Sequence, residues 1–245
     1  MKILVCITHV PDTTSKISFT TNNTRFDTSG VQFIVGPYDD YALARAIELK
    51  ESSSATVTVL NVGLVETEPT LRKALAIGAD DAIRINAEPV DSSFVASQIA
   101  EHARSIGYDL ILMGRESIDF NSGVVHAIVG ELLGIPSVSP VMKLELSANK
   151  ATLTREIEGG KEFLEIDLPF VAGCQEPIAE WKIPNMRGIM SARTKPLKVV
   201  EPKAVDSGLS LQKFELPPPK GPVKMIPSDK VEDLVSLLKN EAGIL

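Results

Sequence analysis

Apolar and polar positions along residues 1–141 are arranged so that short apolar runs and amphipathic stretches follow one another. A short continuous apolar run is typical of a strand that is covered on both faces. Apolar residues at helical spacing predict helices with one buried stripe. The predicted strands cover residues 3–8, 56–62, 82–85, 109–114 and 136–141. Three of the predicted helices begin at Pro37, at Pro69 and after the capping residue Asp91, and a fourth spans residues 122–133.

Single helices join these strands, which predicts right-handed crossovers and a parallel sheet. We therefore expect an α/β fold with a doubly wound parallel sheet in a three-layer αβα arrangement. Sheets of this kind bind ligands beyond the carboxyl ends of their strands, where the strand order switches. The loops that follow the strands are therefore the expected location of a site.

A different pattern begins at residue 142, where shorter runs of alternating polarity predict a small antiparallel meander over residues 142–168. Gly159 and Gly160 are expected to form a hairpin turn within it. Residues 1–181 would then form one nucleotide-binding-like α/β domain. The predicted meander strands cover residues 142–146, 150–157 and 162–166, and residues 169–174 are predicted to return to the main sheet.

The regular period is lost from Lys182 onward. Residues 182–198 are predicted to form a loop, and the prolines within residues 201–227 predict an extended arm. A final helix is expected from Ser228, so residues 199–245 form an arm and a helix. This helix either covers the same domain or docks onto a partner subunit. Its apolar stripe is formed by Val231, Leu234, Val235 and Leu238.

The composition excludes several classes of function. The formal net charge of −7 argues against general nucleic-acid binding. No apolar run approaches the roughly 20 residues that a membrane-spanning helix needs, so membrane insertion is not expected. Cys6 and Cys174 lie in apolar runs and are expected to be buried thiols. Since Met1 leads directly into a strand, we expect a cytoplasmic protein, or one of the mitochondrial matrix if a presequence has been removed.

The loop over residues 114–123 is the strongest candidate for a ligand site, because it leaves a strand and enters a predicted helix. Backbone N–H groups of Ser122, Gly123 and Val124 would form an anion site there. Alternatively, Asn121 or Ser122 is only a helix cap. Asp119 either holds a ribose hydroxyl or stabilises the loop.

Residues 36–39 form a similar connection from strand to helix. Tyr38 either packs on a nucleotide base or is a core aromatic residue. The strand ends at Cys6 and Val62 would line the same crevice in a doubly wound sheet.

Covalent catalysis has little support in the sequence. His9, His102 and His126 are scattered, and none stands in a metal-binding spacing. We therefore expect no catalytic residues and no metal site.

Two charged segments suggest contact with other proteins. Glu156 lies beside the predicted hairpin turn, where charge is usually just a solvated surface. Residues 182–198 mix apolar residues with basic ones, which suits a transient docking anchor. The candidate partner-binding residues of this loop are Ile183, Met186, Arg187, Ile189, Met190 and Arg193.

These segments together resemble the β subunit of electron transfer flavoprotein. The similarity runs from the first strand to the final helix. It is carried by REIEGGKE at residues 155–162, LP at 168–169, IMSAR at 189–193, KP at 195–196 and LRKALAIGAD at 71–80.

The resemblance implies an adenine-nucleotide-hydrolase-like fold and an electron carrier, not an enzyme. It implies a heterodimer with an α subunit that holds most of an FAD. In this chain it implies a bound AMP or a second FAD. Electrons would come from acyl-CoA and related dehydrogenases and pass to a quinone oxidoreductase or another acceptor.

The resemblance also implies roles for individual residues. Met186 matches the apolar anchor of a docking loop for dehydrogenases. Glu156 matches an acidic residue that pairs with an arginine of the α subunit, and residues 199–245 match a segment that embraces that subunit. The nucleotide contacts fall on Cys6, Gly36, Pro37, Tyr38, Asp39, Val62, Gly114, Arg115, Asp119, Asn121, Ser122, Gly123 and Val124.

Two other classes of function remain as alternatives. A universal-stress-type nucleotide-binding sensor shares the expected sheet but does not account for residues 182–245. A nucleotide hydrolase needs a metal-binding or nucleophilic cluster that the sequence does not show.

Overall fold

The computed structural model describes residues 1–205 and 208–245. Within them, one large sheet lies between layers of helices, and two small two-stranded sheets lie beside it. The strands are β1 (Lys2–Cys6), β2 (His9–Pro11), β3 (Phe19–Thr20), β4 (Arg25–Phe26), β5 (Phe33–Val35), β6 (Thr56–Val62), β7 (Asp81–Ile85), β8 (Leu110–Gly114), β9 (Ser137–Ser147), β10 (Lys150–Ile157), β11 (Gly160–Asp167), β12 (Phe170–Cys174) and β13 (Leu197–Val200). The helices are α1 (Pro37–Ser52), α2 (Glu68–Ile77), α3 (Ser92–Ile106), α4 (Val125–Leu133), α5 (Met186–Ala192) and α6 (Val231–Asn240).

The described part of the large sheet has nine strands in the order β11-β10-β9-β12-β8-β1-β6-β7-β13. The strands from β9 to β13 in this order are parallel. The two pairs β9–β10 and β10–β11 are antiparallel. This topology confirms the prediction of a doubly wound α/β sheet with a small meander at one edge.

The apolar runs form strands because both faces of the sheet are covered. Ile3 and Val5 of β1 pack into the core beneath α1 and α2. Leu4 and Cys6, which point the other way, pack into a second core beneath α3 and α4. Every residue of β8 is buried as well. Each large aliphatic side chain that is fully buried contributes about 1.5–3 kcal/mol, so the central strands are the most stabilised part of the sheet.

The strand order switches between β1 and β8. The chain runs from β1 through β6 to β7 on one side, and α3 then carries it back to β8 on the other side of β1. Connections on opposite faces separate beyond the strand ends and leave a crevice there. Cys6 and Gly114 end the two strands that border this crevice.

The meander differs from the prediction in two details. The predicted strands 136–141 and 142–146 form one strand, β9, which pairs with β12 and then with β10. The hairpin turn consists of Glu158 and Gly159, with Gly159 at φ 78°, while Gly160 already belongs to β11. Glycine reaches this left-handed conformation without steric cost, which places the turn one residue earlier than predicted.

The predicted loop 182–198 contains regular structure, which corrects the sequence analysis. Helix α5 begins at Met186, and the side chain of Asn185 accepts a hydrogen bond from the N–H of Gly188 at 2.8 Å. Strand β13 adds to the sheet edge in parallel with β7. The pattern concealed α5 because most of its apolar side chains point outward and form no buried stripe.

Helices α2 and α5 cap each other. Arg72 on α2 donates from Nη1 to the carbonyls of Ala192 and Lys195, both at 2.8 Å. Lys195 donates from Nζ to the carbonyls of Leu75, at 2.9 Å, and Ala79, at 2.5 Å. Carbonyl groups near a helix C-terminus lack partners in their own helix, so each basic side chain satisfies the other helix.

The arm contacts the domain through several residues before α6, including Leu209, whose N–H donates to Oδ2 of Asp91 at 3.4 Å. The side-chain amide of Gln98 makes two hydrogen bonds with the backbone of Lys203, at 2.8 and 2.9 Å. Further along, the ring of Phe214 stacks on Phe19 at 4.7 Å between centroids. Residues 206 and 207 of the predicted arm lie outside the described residues.

The final helix exposes its apolar stripe. No residue of α6 is buried, and Val231 and Val235 are both more than half exposed. Across the described ranges 1–205 and 208–245, none of the helices has the length and apolarity to cross a bilayer.

Gly188→Ala should destabilise the junction between α2 and α5. A Cβ at this position would lie 2.2 Å from the carbonyl oxygen of Ala76, so the backbone of one helix must shift. We expect a loss of about 1–3 kcal/mol in the free energy of unfolding, measured by urea denaturation. Gly221→Ala, where a Cβ meets nothing within 4 Å, is the matched control. Equal stabilities of the two variants would contradict the close packing.

Candidate functional site at the switch in strand order

A buried carboxylate stands at the crevice between β1 and β8. Oδ2 of Asp39 accepts hydrogen bonds from the N–H of Thr8, at 2.8 Å, and from its hydroxyl, at 2.6 Å. Oδ1 accepts from the N–H of Gly114 at 2.7 Å. Asp39 is only 3% exposed and lies in the first turn of α1, where the helix dipole favours negative charge. It therefore ties α1 to the segments that follow both strands.

Opposing effects act on the pKa of Asp39. Burial raises this pKa to about 6, while the hydrogen bonds from Thr8 and Gly114 favour the ionised form and lower it. Burial also raises the pKa of the thiols of Cys6 and Cys174, and the Asp39 carboxylate adds to both shifts. The two cysteines are buried, as predicted, and their thiols stay protonated.

Glycine is required at position 36 because the backbone comes close to the Asp39 cluster. A Cβ there would lie 2.3 Å from the hydroxyl oxygen of Thr8 and 2.5 Å from Oδ2 of Asp39. Pro37, the first residue of α1, has its φ fixed at a value suited to a helix start. The connection at residues 36–39 is thus built around the buried carboxylate.

Tyr38 and Arg115 lie together at the same crevice. The guanidinium carbon of Arg115 is 4.8 Å from the ring centroid of Tyr38, which is a cation–π contact. Arg115 also donates to Oε1 of Gln175 at 3.0 Å and to Oε1 of Glu116 at 3.2 Å. Among the described residues, its buried Nε has no hydrogen-bond acceptor. A buried donor without a partner suits an acceptor atom of a bound ligand.

The loop after β8 differs from the predicted helix start. Ser117 and Ser122 exchange two backbone hydrogen bonds of 3.2 Å, so the N–H of Ser122 is occupied. Helix α4 begins at Val125, and its N-cap residue Val124 makes no side-chain capping bond. The prediction of a helix from residue 122 capped by Asn121 or Ser122 was therefore wrong. The hydroxyl of Ser122 instead lies 2.5 Å from that of Ser92 on α3.

Asp119 holds the loop together. Its Oδ1 accepts hydrogen bonds from the hydroxyl of Ser117 and, at 2.9 Å, from the N–H of Phe120. These contacts support the loop-stabilising alternative for Asp119. Asn121 follows with φ 49°, a left-handed conformation that asparagine tolerates better than most residues.

The structure places the predicted nucleotide residues in two groups. Tyr38, Asp39, Gly114 and Arg115 contact one another, and a Cβ on Gly123 would lie 3.5 Å from the carbonyl oxygen of Arg115. The remaining residues lie at the buried strand ends, at the start of α1 or along the loop after β8, namely Cys6, Val62, Gly36, Pro37, Asp119, Asn121, Ser122 and Val124.

Sequence reasoning missed Thr8 and Gln175 as residues of the site. Thr8 supplies two of the three donors to Asp39, and Gln175 bonds both Arg115 and Glu156. Their positions could have identified them from the sequence, because each is a polar residue just beyond a buried strand.

The predicted partner-binding residues lie on or beside α5 and, for Glu156, near the hairpin end of β10. Oε2 of the exposed Glu156 accepts a hydrogen bond from Nε2 of Gln175 at 2.7 Å. Met186 is 74% exposed on the first turn of α5. The other predicted residues of this region are also exposed, namely Ile183, Arg187, Ile189, Met190 and Arg193.

The fold and the crevice define a three-layer α/β protein with a ligand-type site at the switch in strand order. The sequence profile of the electron transfer flavoprotein domain matches residues 24–205. The chain is 34% identical to the electron transfer flavoprotein subunit beta of Bacillus subtilis, with 100% of both chains covered. The chain therefore belongs to the electron transfer flavoprotein family.

Other relatives extend the similarity. The mitochondrial electron transfer flavoprotein subunit beta of Oryza sativa subsp. japonica is 32% identical over the whole of both chains. The acryloyl-CoA reductase electron transfer subunit gamma of Anaerotignum propionicum is 30% identical, with 97% of this chain and 98% of the relative covered. These relatives confirm the resemblance and do not favour the universal-stress alternative.

Asp39→Asn should reveal the raised pKa of Asp39. Because the folded pKa of about 6 exceeds the ordinary value of 3.8, the folded protein binds this proton more tightly than the unfolded chain. This group therefore adds stability as the pH falls from 6 to about 4, and that stability is lost again as the pH rises. The asparagine variant lacks this titration. The free energy of unfolding of wild type should therefore rise relative to that of the variant by up to about 3 kcal/mol as the pH falls from 8 to 4.

Urea denaturation of both proteins at several pH values between 4 and 8 measures this gap. Asp229→Asn makes the same substitution at an exposed position and is measured beside it as the control. A gap that narrows as the pH falls would mean that the hydrogen bonds outweigh burial.

Proposed function

We propose that this chain is the β subunit of a two-subunit electron carrier and works with an α subunit that holds FAD. The similarity to beta subunits over the whole chain, from β1 through the arm and α6, carries this proposal. The FAD supplies the redox chemistry when bound. This chain binds the α subunit, shapes the surroundings of the flavin and docks the electron donor, without making or breaking bonds itself.

The crevice beside Arg115 is the proposed site of an AMP, with a second FAD as the alternative occupant. Its donor set fits a nucleotide. The N–H groups of Gly123 and Val124 and of the first turn of α4 suit a phosphate, because a helix N-terminus favours anions. Nε of Arg115 offers a further buried donor, and Tyr38 offers an aromatic face. Asp39 does not contact the ligand in this proposal, since all three of its hydrogen bonds go to the protein.

Helix α5 is the proposed docking element for acyl-CoA-type dehydrogenases. Met186 is apolar, largely exposed and followed by Arg187. A single flexible apolar side chain within a charged rim gives a small contact that dissociates quickly. Fast dissociation suits a carrier that must leave its donor and reach a quinone oxidoreductase or another acceptor.

The arm and α6 are the proposed contact with the α subunit. The apolar stripe of α6 is exposed, and a larger partner would bury it. Glu156, near the hairpin end of β10, would pair with a cationic side chain of the same subunit.

Co-expression with a flavin-bearing α subunit tests the proposal. We expect a one-to-one complex with the yellow absorbance of FAD. Mass spectrometry of the denatured complex should find AMP in addition. A colourless, stable homodimer of this chain would contradict the proposed function and support a sensor, while a yellow complex without AMP would contradict only the nucleotide assignment.

Met186→Ala should slow electron acceptance from a dehydrogenase. Loss of a central apolar anchor typically costs about 1–2 kcal/mol, which corresponds to a roughly 5- to 30-fold lower second-order rate. Stopped-flow reduction of the flavin at low donor concentration measures this rate. Ile106→Ala is the control, because Ile106 is 46% exposed on α3 and lies outside the proposed partner surfaces. Equal rates for wild type and Met186→Ala would exclude Met186 as the anchor.

A further inference from the structure

A buried amide connects the crevice to the partner surface. Gln175 directly follows β12 and is 7% exposed. Its Oε1 accepts a hydrogen bond from Nη1 of Arg115 at 3.0 Å, and its Nε2 donates to Oε2 of Glu156 at 2.7 Å. One side chain therefore joins a residue of the crevice to a charged residue at the meander.

The orientation of this amide is dictated by its neighbours. A guanidinium only donates hydrogen bonds and an ionised carboxylate only accepts them. The amide oxygen of Gln175 must therefore face Arg115, and its NH₂ group must face Glu156. No other neutral side chain of this length offers an acceptor at one end and a donor at the other.

The backbone around Gln175 is fixed as well. The N–H of Gln175 donates to the carbonyl of Val141 at 3.0 Å, and the N–H of Arg115 donates to the carbonyl of Cys174 at 2.9 Å. Both bonds hold the start of their loops to neighbouring strands. A movement of the Arg115 side chain would therefore shift the side-chain amide of Gln175, and this amide would in turn shift the carboxylate of Glu156.

The two ends of this chain of contacts differ in exposure. Arg115 lies over Tyr38 and keeps one buried donor for a ligand. Glu156 is exposed and carries a negative charge. Hydrogen bonds to ionised groups are stronger than neutral ones, so both contacts of Gln175 constrain their partners.

We propose that Gln175 is a positioning residue that couples binding of an anionic ligand beside Arg115 to binding of a partner's cationic side chain by Glu156. The inference rests on the proposed function, since it takes the ligand to be a nucleotide and the partner to be the flavin-bearing subunit. A ligand atom that accepts a hydrogen bond from Arg115 fixes the position of its guanidinium. The amide of Gln175 is then held in place, and its hydrogen bond fixes the position of the Glu156 carboxylate. Coupling of this kind is reciprocal, so the partner also tightens ligand binding.

Gln175→Glu separates the two contacts. A glutamate has the same length and still accepts from Arg115, but it cannot donate to Glu156 and repels it. Gln175→Met, which removes both contacts at similar volume, is measured beside it. The dissociation constant of the partner subunit is determined with and without AMP. In wild type, AMP should tighten partner binding about fivefold or more, whereas in both variants the factor should fall to about one.

Two controls separate positioning from a purely structural role. Gln32→Glu makes the same charge change at an exposed position and should keep the wild-type factor. The double variant Glu156→Gln with Gln175→Glu reverses the polarity of the pair. It should regain the thermal stability that Gln175→Glu loses.

The outcomes are distinguishable. The inference would be overturned if AMP left the dissociation constant of the partner unchanged in wild type, or if it changed that constant by the same factor in Gln175→Glu. The proposed electron-carrier function would not be affected by either result. Failure of the wild-type chain to bind any flavin-bearing subunit would overturn the proposed function itself.

Discussion

The carboxylate of Asp39 collects three donors at the point where the sheet reverses its strand order. The N–H of Thr8, just beyond β1, and the N–H of Gly114, at the end of β8, both donate to this carboxylate. A buried donor without an acceptor costs about 1–3 kcal/mol. One buried acceptor on α1 satisfies both amides and the Thr8 hydroxyl. The crevice, the loop after β8 and the position of Arg115 all depend on this contact.

The parallel sheet could be predicted from sequence because its strands are covered on both faces. A strand such as β1 has to be apolar along its whole length, and a helix such as α1 shows its stripe at a regular spacing. The extent of β9 and the presence of α5 depended instead on tertiary contacts. Strand β9 changes partner along its length, so its second half reads as a separate element. Helix α5 turns most of its apolar residues outward, and the usual rule of buried stripes then fails.

The candidate site was predictable only in part for a related reason. Loops after strands point to the crevice, and residues 36–39 and 114–124 were predicted as candidates for this reason. The roles of Asp39, Thr8 and Gln175 depend on which strands are neighbours in space, and β1, β8 and β12 are far apart along the chain. The motif at residues 155–162 identified the family but not the buried amide that supports Glu156.

The mutual capping of α2 and α5 leaves the outward surface of α5 with little part in folding. Support comes from main-chain carbonyls, the basic side chains of Arg72 and Lys195, and the close approach at Gly188. Substitutions at the exposed Met186 or Met190 should therefore cost little stability. In the proposed role of α5 as a docking element, this arrangement would let the choice of redox partner change while the sheet and α2 beneath stay the same.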